Sequence, residues 1–326
     1  MVLKSDLNVW PVEVTTLGAD VPTFVLAKPS NDSSHYITGW MGEAGSVKLI
    51  RQSYAELAAA ATWTCTHHAD FVLDLAAIDF IMSFWIKMTI AGVDVGATAY
   101  LFEKDAADDD YYYFDTSAAG LPIFSIGDAT PNADTITGTS NIANGKWHHI
   151  AITGEAGVAT GLKMYVDGTL EATSDTFENV DASGSAEDLV LTAPTGGIAI
   201  ANFAIYKAAD LSAQFATEVA ALYNSGRGKK LEGTETNLVW AANIDDGEGT
   251  DTEDIKGTGV AAISAGTWTA GGPPLKSEIL PLLLMDGNGS YGAAFPHPIK
   301  VGAGTPIIIE GAGAYQLTLF GFTDVG

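Results

Sequence analysis

The chain has 326 residues, 47% of them hydrophobic and 17% charged, so it can bury a sizeable core and does not read as disordered. With 15 basic against 40 acidic residues its net charge is −25, a field that repels phosphate backbones and anionic lipid and points away from nucleic acid and membrane surfaces. One cysteine, Cys65, leaves no intrachain disulfide to be made.

In chain order, the opening MVLKSDLNVWPVEV holds no basic stretch followed by an apolar one, so synthesis in a cytoplasm without an export signal is expected. Short apolar runs punctuated by Gly, Asn, Asp and Ser predict an all-β fold. Residues 9–16, 23–28, 35–41 and 47–52 read as strands, and the Ala-rich 54–62 as a short helical linker. Residues 80–88 predict a strand with large apolar residues on both faces, as in the centre of a sandwich. The longer apolar stretch 72–93 is broken by Asp74, Asp79 and Lys87 and does not predict a membrane span.

Further strands are predicted at 100–103, 111–115, 121–126 and 147–153, then a hairpin over 162–170 turning on Asp167-Gly168, where both residues need positive φ. Residues 188–192 and 197–207 continue the sheets. One helix is expected, capped by Ser212, with Phe215, Val219, Leu222 and Tyr223 on its apolar face and Gly226 as its stop. Residues 244–258 read as an acidic loop and 271–274 as a boundary. Strands resume at 279–285, 299–301, 306–310 and 314–322.

Neither end is long enough to make a stable sandwich alone. Residues 1–53 plus 275–326 are therefore expected to form one small β-sandwich for attachment and oligomerisation. Residues 62–272 are expected to be inserted into it as a two-sheet jelly roll.

Four motifs stand in order within 63–228: Phe80-x-x-Ser83-Phe84-Trp85-Ile86, Asn144-Gly145-Lys146-Trp147-His148-His149-Ile150-Ala151, Leu162-x-Met164-Tyr165-Val166-Asp167-Gly168, and Ile200-Ala201-Asn202-Phe203-Ala204-Ile205-Tyr206-Lys207 with the helix behind it. Together they resemble the laminin-G-like family of the concanavalin A-like superfamily. The resemblance implies a jelly roll that binds carbohydrate or protein, often with calcium at one rim. Where that family commonly has an acidic pair before its last strand, this chain has Ala201 and Asn202, so that pair is not carried over. The ends, through His35-Tyr36-Ile37-Thr38-Gly39, Phe295-Pro296-x-Pro298-Ile299 and Gly321-Phe322, resemble small β-sandwich domains of bacteriophage virions. That likeness implies a homotrimer on the virion surface, contacting capsid or other virion proteins.

The candidate chemistry is sparse. Glycoside hydrolysis needs paired carboxylates, and the Glu-x-Asp-x-Glu strand of related glucanases has no counterpart beyond Glu103-Lys104-Asp105. His67-His68 and His148-His149 are adjacent pairs, and neighbours on a strand point to opposite faces, so neither pair shares a metal ion in regular β structure. Asp245, Asp246, Asp251 and Asp254 crowd one loop and are the calcium candidates. Tyr111 and Tyr113 alternate with Tyr112 and Phe114, so two rings can meet a sugar while two enter the core. The expected role is that of a non-enzymatic phage structural protein, a capsid decoration or fibre-like component. Its outward lectin-like domain would adhere to cell-surface glycan or shield the shell. A free bacterial polysaccharide-binding protein and a β-glucanase are the rivals.

Overall fold

The computed structural model describes residues 7–16, 23–26, 34–43, 46–50, 53–74, 78–88, 101–104, 111–127, 133–175, 181–182, 187–194, 196–226, 228–229, 231–244, 250–257, 260–264, 266–270, 278–284, 290–300, 307–312 and 315–324. Two compact units result. One comprises Met1–Tyr54, Asp245–Gly249 and Trp268–Gly326, the other Ala55–Ile244 and Thr250–Thr267.

The first unit holds two four-stranded antiparallel sheets, ordered Leu7–Thr16, Tyr315–Asp324, Ser34–Glu43, Ser290–Lys300 and Thr23–Leu26, Ile307–Ala312, Ser46–Ile50, Glu278–Leu284. In both, strands from the start of the chain alternate with strands from its end. The longest ladder runs unbroken from Leu7 opposite Asp324 to Thr16 opposite Tyr315. Every backbone partner of a strand before residue 51 is thus supplied by residues after 277.

The second unit is a two-sheet sandwich of concanavalin A-like jelly-roll type. Its first sheet runs Ala133–Thr137, Pro122–Gly127, Tyr111–Thr116, Phe102–Lys104, Leu189–Thr192, Thr62–Cys65, Val260–Ile263, Asp251–Glu253. Its second runs Thr169–Thr173, Lys163–Val166, Trp147–Gly154, Asp79–Lys87, Ile198–Ala208, Ser53–Leu57, Gly266–Ala270, with Leu238–Ala242 also pairing Ile198–Ala208. Aromatic rings join the layers: Phe84 of the second sheet meets Phe102 and Phe114 of the first at 4.7 and 5.0 Å between centroids. Trp63 meets Phe203 at 5.3 Å, and its buried Nε1 donates to Thr252 Oγ1 at 2.9 Å.

The central strands Asp79–Lys87, Trp147–Gly154 and Ile198–Ala208 of the second sheet are buried on both faces, as the doubly apolar 79–87 sequence demands, while its edge strand Thr169–Thr173 is largely exposed. Between the layers lies the aromatic core. On its other face the helix Phe215–Tyr223 sets Phe215, Val219 and Leu222 against Ile81, Ala151, Tyr165, Ala204 and Tyr206. The Asp167-Gly168 turn takes φ of 49° and 75°, the left-handed pair that a two-residue hairpin needs.

Several local expectations are corrected. Residues 54–62 contain no helix. Ser53–Leu57 is a strand paired with Ile198–Ala208, because burying Tyr54, Ala55 and Leu57 outweighs the helix propensity of the alanines. Ser212 does not cap the helix through its side chain: a 3-10 turn, Ser212–Gln214, precedes it, and its amide donates to Asp79 Oδ2 at 2.8 Å. Asn224, at φ 47°, ends the helix two residues before Gly226. The acidic 244–258 stretch includes a strand, Asp251–Glu253, while 245–249 lie outside the described residues. Among the described residues no helix is long and apolar enough to cross a membrane.

Candidate functional site

The helix packs on the outer side of the second sheet's central strands, and the first sheet has an outward face of its own. A single row of paired positions crosses all eight of its strands: Thr135, Ser125, Tyr113, Glu103, Val190, Thr64, Ala262 and Asp251. Along it Tyr113, Val190 and Thr64 are half-buried, and Thr135, Ala262 and Asp251 are exposed.

Tyr111 and Tyr113 stand on this face, each half-buried, while Tyr112 and Phe114 turn inward, as strand alternation requires. Tyr112 is anchored by its hydroxyl donating to Phe71 O at 3.0 Å. The outward rings lie nearly parallel, 13° apart in plane with centroids separated by 5.8 Å. Gly127, opposite Tyr111, makes room for them: a Cβ there would come within 2.8 Å of the ring. Ser125, opposite Tyr113, is buried on the outward face and hydrogen-bonds the Tyr111 hydroxyl. Burial and the neighbouring Tyr113 push the Tyr111 phenol above its ordinary range, and the Ser125 bond partly opposes them. The Tyr111 phenol is therefore neutral in ordinary buffers, and the two rings present flat apolar faces with polar rims.

Asp115 follows on the same face but is buried, and burial pushes its carboxyl up to about 6 against the lowering effect of the Thr116 amide bond. The sequence singled out the tyrosines. It gave no hint of Gly127, Ser125 or Asp115, although a glycine inside a strand is a recognised mark of close approach by another group.

The calcium candidates fare differently. Asp245 and Asp246 lie outside the described residues. Asp251 is exposed on an edge strand. Asp254 is buried, with Oδ1 accepting from the amides of Ala241 at 3.2 Å and Lys256 at 2.9 Å. Among the described residues no group of three or more His, Cys, Asp or Glu is placed to hold a metal ion.

His67 and His68 lie between the strand Thr62–Cys65 and the 3-10 turn Ala69–Phe71, which His68 caps, whereas His148 and His149 split across their strand. His148 presents Nδ1 to Asp167 Oδ2 at 2.8 Å and Nε2 to Asn144 Oδ1 at 3.1 Å. His149 faces the helix, pairs with Ser83 Oγ at 2.8 Å, and burial lowers its imidazole to about 3. Asn202, where an acidic pair was absent, takes φ 49° and donates its amide to Asn243 O, making a bulge. The Cys65 thiol is buried and pushed up by that burial, hence unreactive. A cavity of about 340 Å³ is lined by Leu57, Met88 and Ile198, with Glu56 and Lys87 beside them. It offers no aromatic face.

Residues 60–214 match the concanavalin A-like lectin/glucanases superfamily, and this part of the chain is a domain of that kind. No curated protein matches the chain. Solved structures similar to it include the binding domain of Paraclostridial Mosquitocidal Protein 1, 14% identical over 55% of this chain and 52% of that one, with a TM-score of 0.41. A candidate carbohydrate binding protein from Bacteroides ovatus is 11% identical over 78% and 62%, with a TM-score of 0.44. A heptameric SAP-like pentraxin from Limulus polyphemus is 14% identical over 66% and 96%, with a TM-score of 0.38. The match thus spans 52% and 62% of the first two structures' own lengths.

Proposed function

We propose that the protein is a non-enzymatic adhesive component. Its jelly-roll unit holds glycan on the Tyr111–Tyr113 face, and its terminal unit attaches it, as a homotrimer, to the surface of a phage virion. The observation that carries the binding role is the parallel, half-exposed tyrosine pair on the outward sheet of a lectin-type domain. Aromatic rings offer a sugar broad contact at little entropic cost, two torsions each. Binding is favoured over hydrolysis because Asp115, the acid that follows the rings along the strand, is buried and bonded to its neighbour's amide. Support for the attachment role comes from the virion-like motifs of the ends and from the pairing of those ends strand for strand.

Glycan-array binding by the full chain tests the platform. Tyr111→Ala and Tyr113→Ala should each weaken capture at least about tenfold while the melting temperature holds within a few degrees. Undiminished capture by both variants refutes the platform, and release of reducing sugar from β-glucans favours the glucanase. Electron microscopy of intact particles and light scattering of the purified chain test the attachment. A monomer found on no particle leaves a free polysaccharide-binding protein.

A further inference from the structure

The cavity beside Leu57 lies on the second sheet, away from the tyrosine pair. Strand register puts Lys87, Ala199 and Glu56 in one row across three neighbouring strands, so all three share a face. It is the face that carries the helix: Tyr223, the last helical residue, stacks on Trp85, and Lys87 comes next along that side of its strand. Lys87 is half-buried and Glu56 exposed, and both line the cavity with Ala199 between them. Their backbones are two strand spacings, about 10 Å, apart. Because position 199 carries only a methyl group, the space between the two charged side chains stays open, a volume of about 340 Å³.

The rest of the wall is set before any ligand arrives. Ala58 and Ala59 belong to one tight turn, closed by the Ala61 amide donating to Ala58 O at 2.9 Å. Gly196 and Gly197 belong to another, closed by the Gly197 amide donating to Pro194 O at 2.8 Å. The Ala60 amide donates to Ala193 O at 3.0 Å and joins the two segments. Gly197, at φ 76°, passes so near the strand Ser53–Leu57 that a Cβ on it would lie 2.8 Å from Leu57 O. Such a preformed space is of the size that small molecules fill, and little ordering is needed on binding.

The two charges decide what fits. A lone anion is drawn to Lys87 and repelled by Glu56, and a lone cation meets the reverse. A neutral molecule gains hydrogen bonds alone. A molecule with a carboxylate at one end and an ammonium at the other gains both attractions. We infer that this cavity binds a small zwitterion of the ω-amino-acid class, its carboxylate toward Lys87 and its ammonium toward Glu56. The site is separate from the tyrosine pair and does not depend on how that pair is used.

Calorimetry on the full chain with γ-aminobutyrate, butyrate, butylamine and glucose tests it. At low salt γ-aminobutyrate should bind about fivefold more tightly than either singly charged analogue, the factor that one partly exposed ion pair supplies. Lys87→Met should lower its affinity to that of butylamine, and Glu56→Gln to that of butyrate. Tyr111→Ala should leave it unchanged. Glu56 is exposed, so Glu56→Gln keeps the test open even where Lys87→Met fails to fold. Absence of γ-aminobutyrate binding, equal binding of butyrate or butylamine, or a preference for glucose overturns the inference. Loss of γ-aminobutyrate binding in Tyr111→Ala overturns it too, since the ligand would then sit at the rings.

Discussion

The ring of Tyr111 occupies the space that a side chain on Gly127 would need. The two residues face each other across adjacent strands, and a Cβ on Gly127 would lie 2.8 Å from the ring carbons. The obstruction is the far end of a flexible side chain, so a larger residue at 127 would turn the tyrosine aside without unfolding the sheet. Gly127→Val is expected to change stability by no more than about 1 kcal/mol and to weaken glycan binding roughly tenfold. Denaturation curves and the array measured on the same preparation check this. A variant that melts early, or binds as well as the parent, contradicts the account.

Asp79 ties two loops to the centre of the sandwich. It is buried, with Oδ1 accepting from the Ala156 amide at 2.9 Å and Oδ2 from the Ser212 amide at 2.8 Å. Asp79→Ala strands both donors and should cost about 2–3 kcal/mol in urea denaturation, with Asp79→Asn, which keeps one acceptor, costing roughly half. A loss below about 0.5 kcal/mol would show that water serves these amides equally well.

Two buried groups bend the pH dependence in opposite directions. Asp115, at about 6 when folded, binds its proton more tightly folded than unfolded. Its stabilising contribution is complete below about pH 4 and lost as pH rises through 6. His149, held near 3, does the reverse: its contribution is complete above about pH 6.5 and lost as pH falls toward 3. The histidine's shift is the larger, so the protein should weaken on acidification from pH 6.5 to 4, with Asp115 blunting the fall. Asp115→Asn should steepen the fall and raise stability at pH 7 by about 1–2 kcal/mol. Unfolding free energies at half-unit intervals decide the matter, and superimposable profiles for parent and variant would reject it.

Asp254 serves the backbone, whereas Asp251 faces solvent. Asp254→Ala should cost about 2 kcal/mol by the same amount in excess calcium and in EDTA, and Asp251→Ala should stay within about 0.5 kcal/mol. A penalty for Asp254→Ala that appears only in calcium would assign the residue to an ion instead.

Features set by near neighbours could be read from the sequence, and those set by distant partners could not. The Asp167-Gly168 turn and the outward placement of Tyr111 and Tyr113 follow from local chemistry and from the two-residue period of a strand. The strand Ser53–Leu57 could not be read, since its alanines favour helix and only pairing with residues some 140 positions later makes it extended. The strand Ala133–Thr137 is not legible in the sequence, because an inward Asp134 breaks its apolar alternation. That carboxylate is reconciled with burial by Ser174, far along the chain. Gly127 reads as an ordinary turn glycine until its cross-strand neighbour is known.

The interleaving of early and late strands in the terminal unit governs how the polypeptide matures. On a ribosome, the segments ending near Ile50 wait with bare edges while more than two hundred further residues are made, and no ladder can close until 278–324 have emerged. Premature termination downstream of the sandwich would leave a folded jelly roll trailing sticky, unmatched β-segments. Quality control in the producing cell would meet such fragments as aggregates rather than as shortened but serviceable copies.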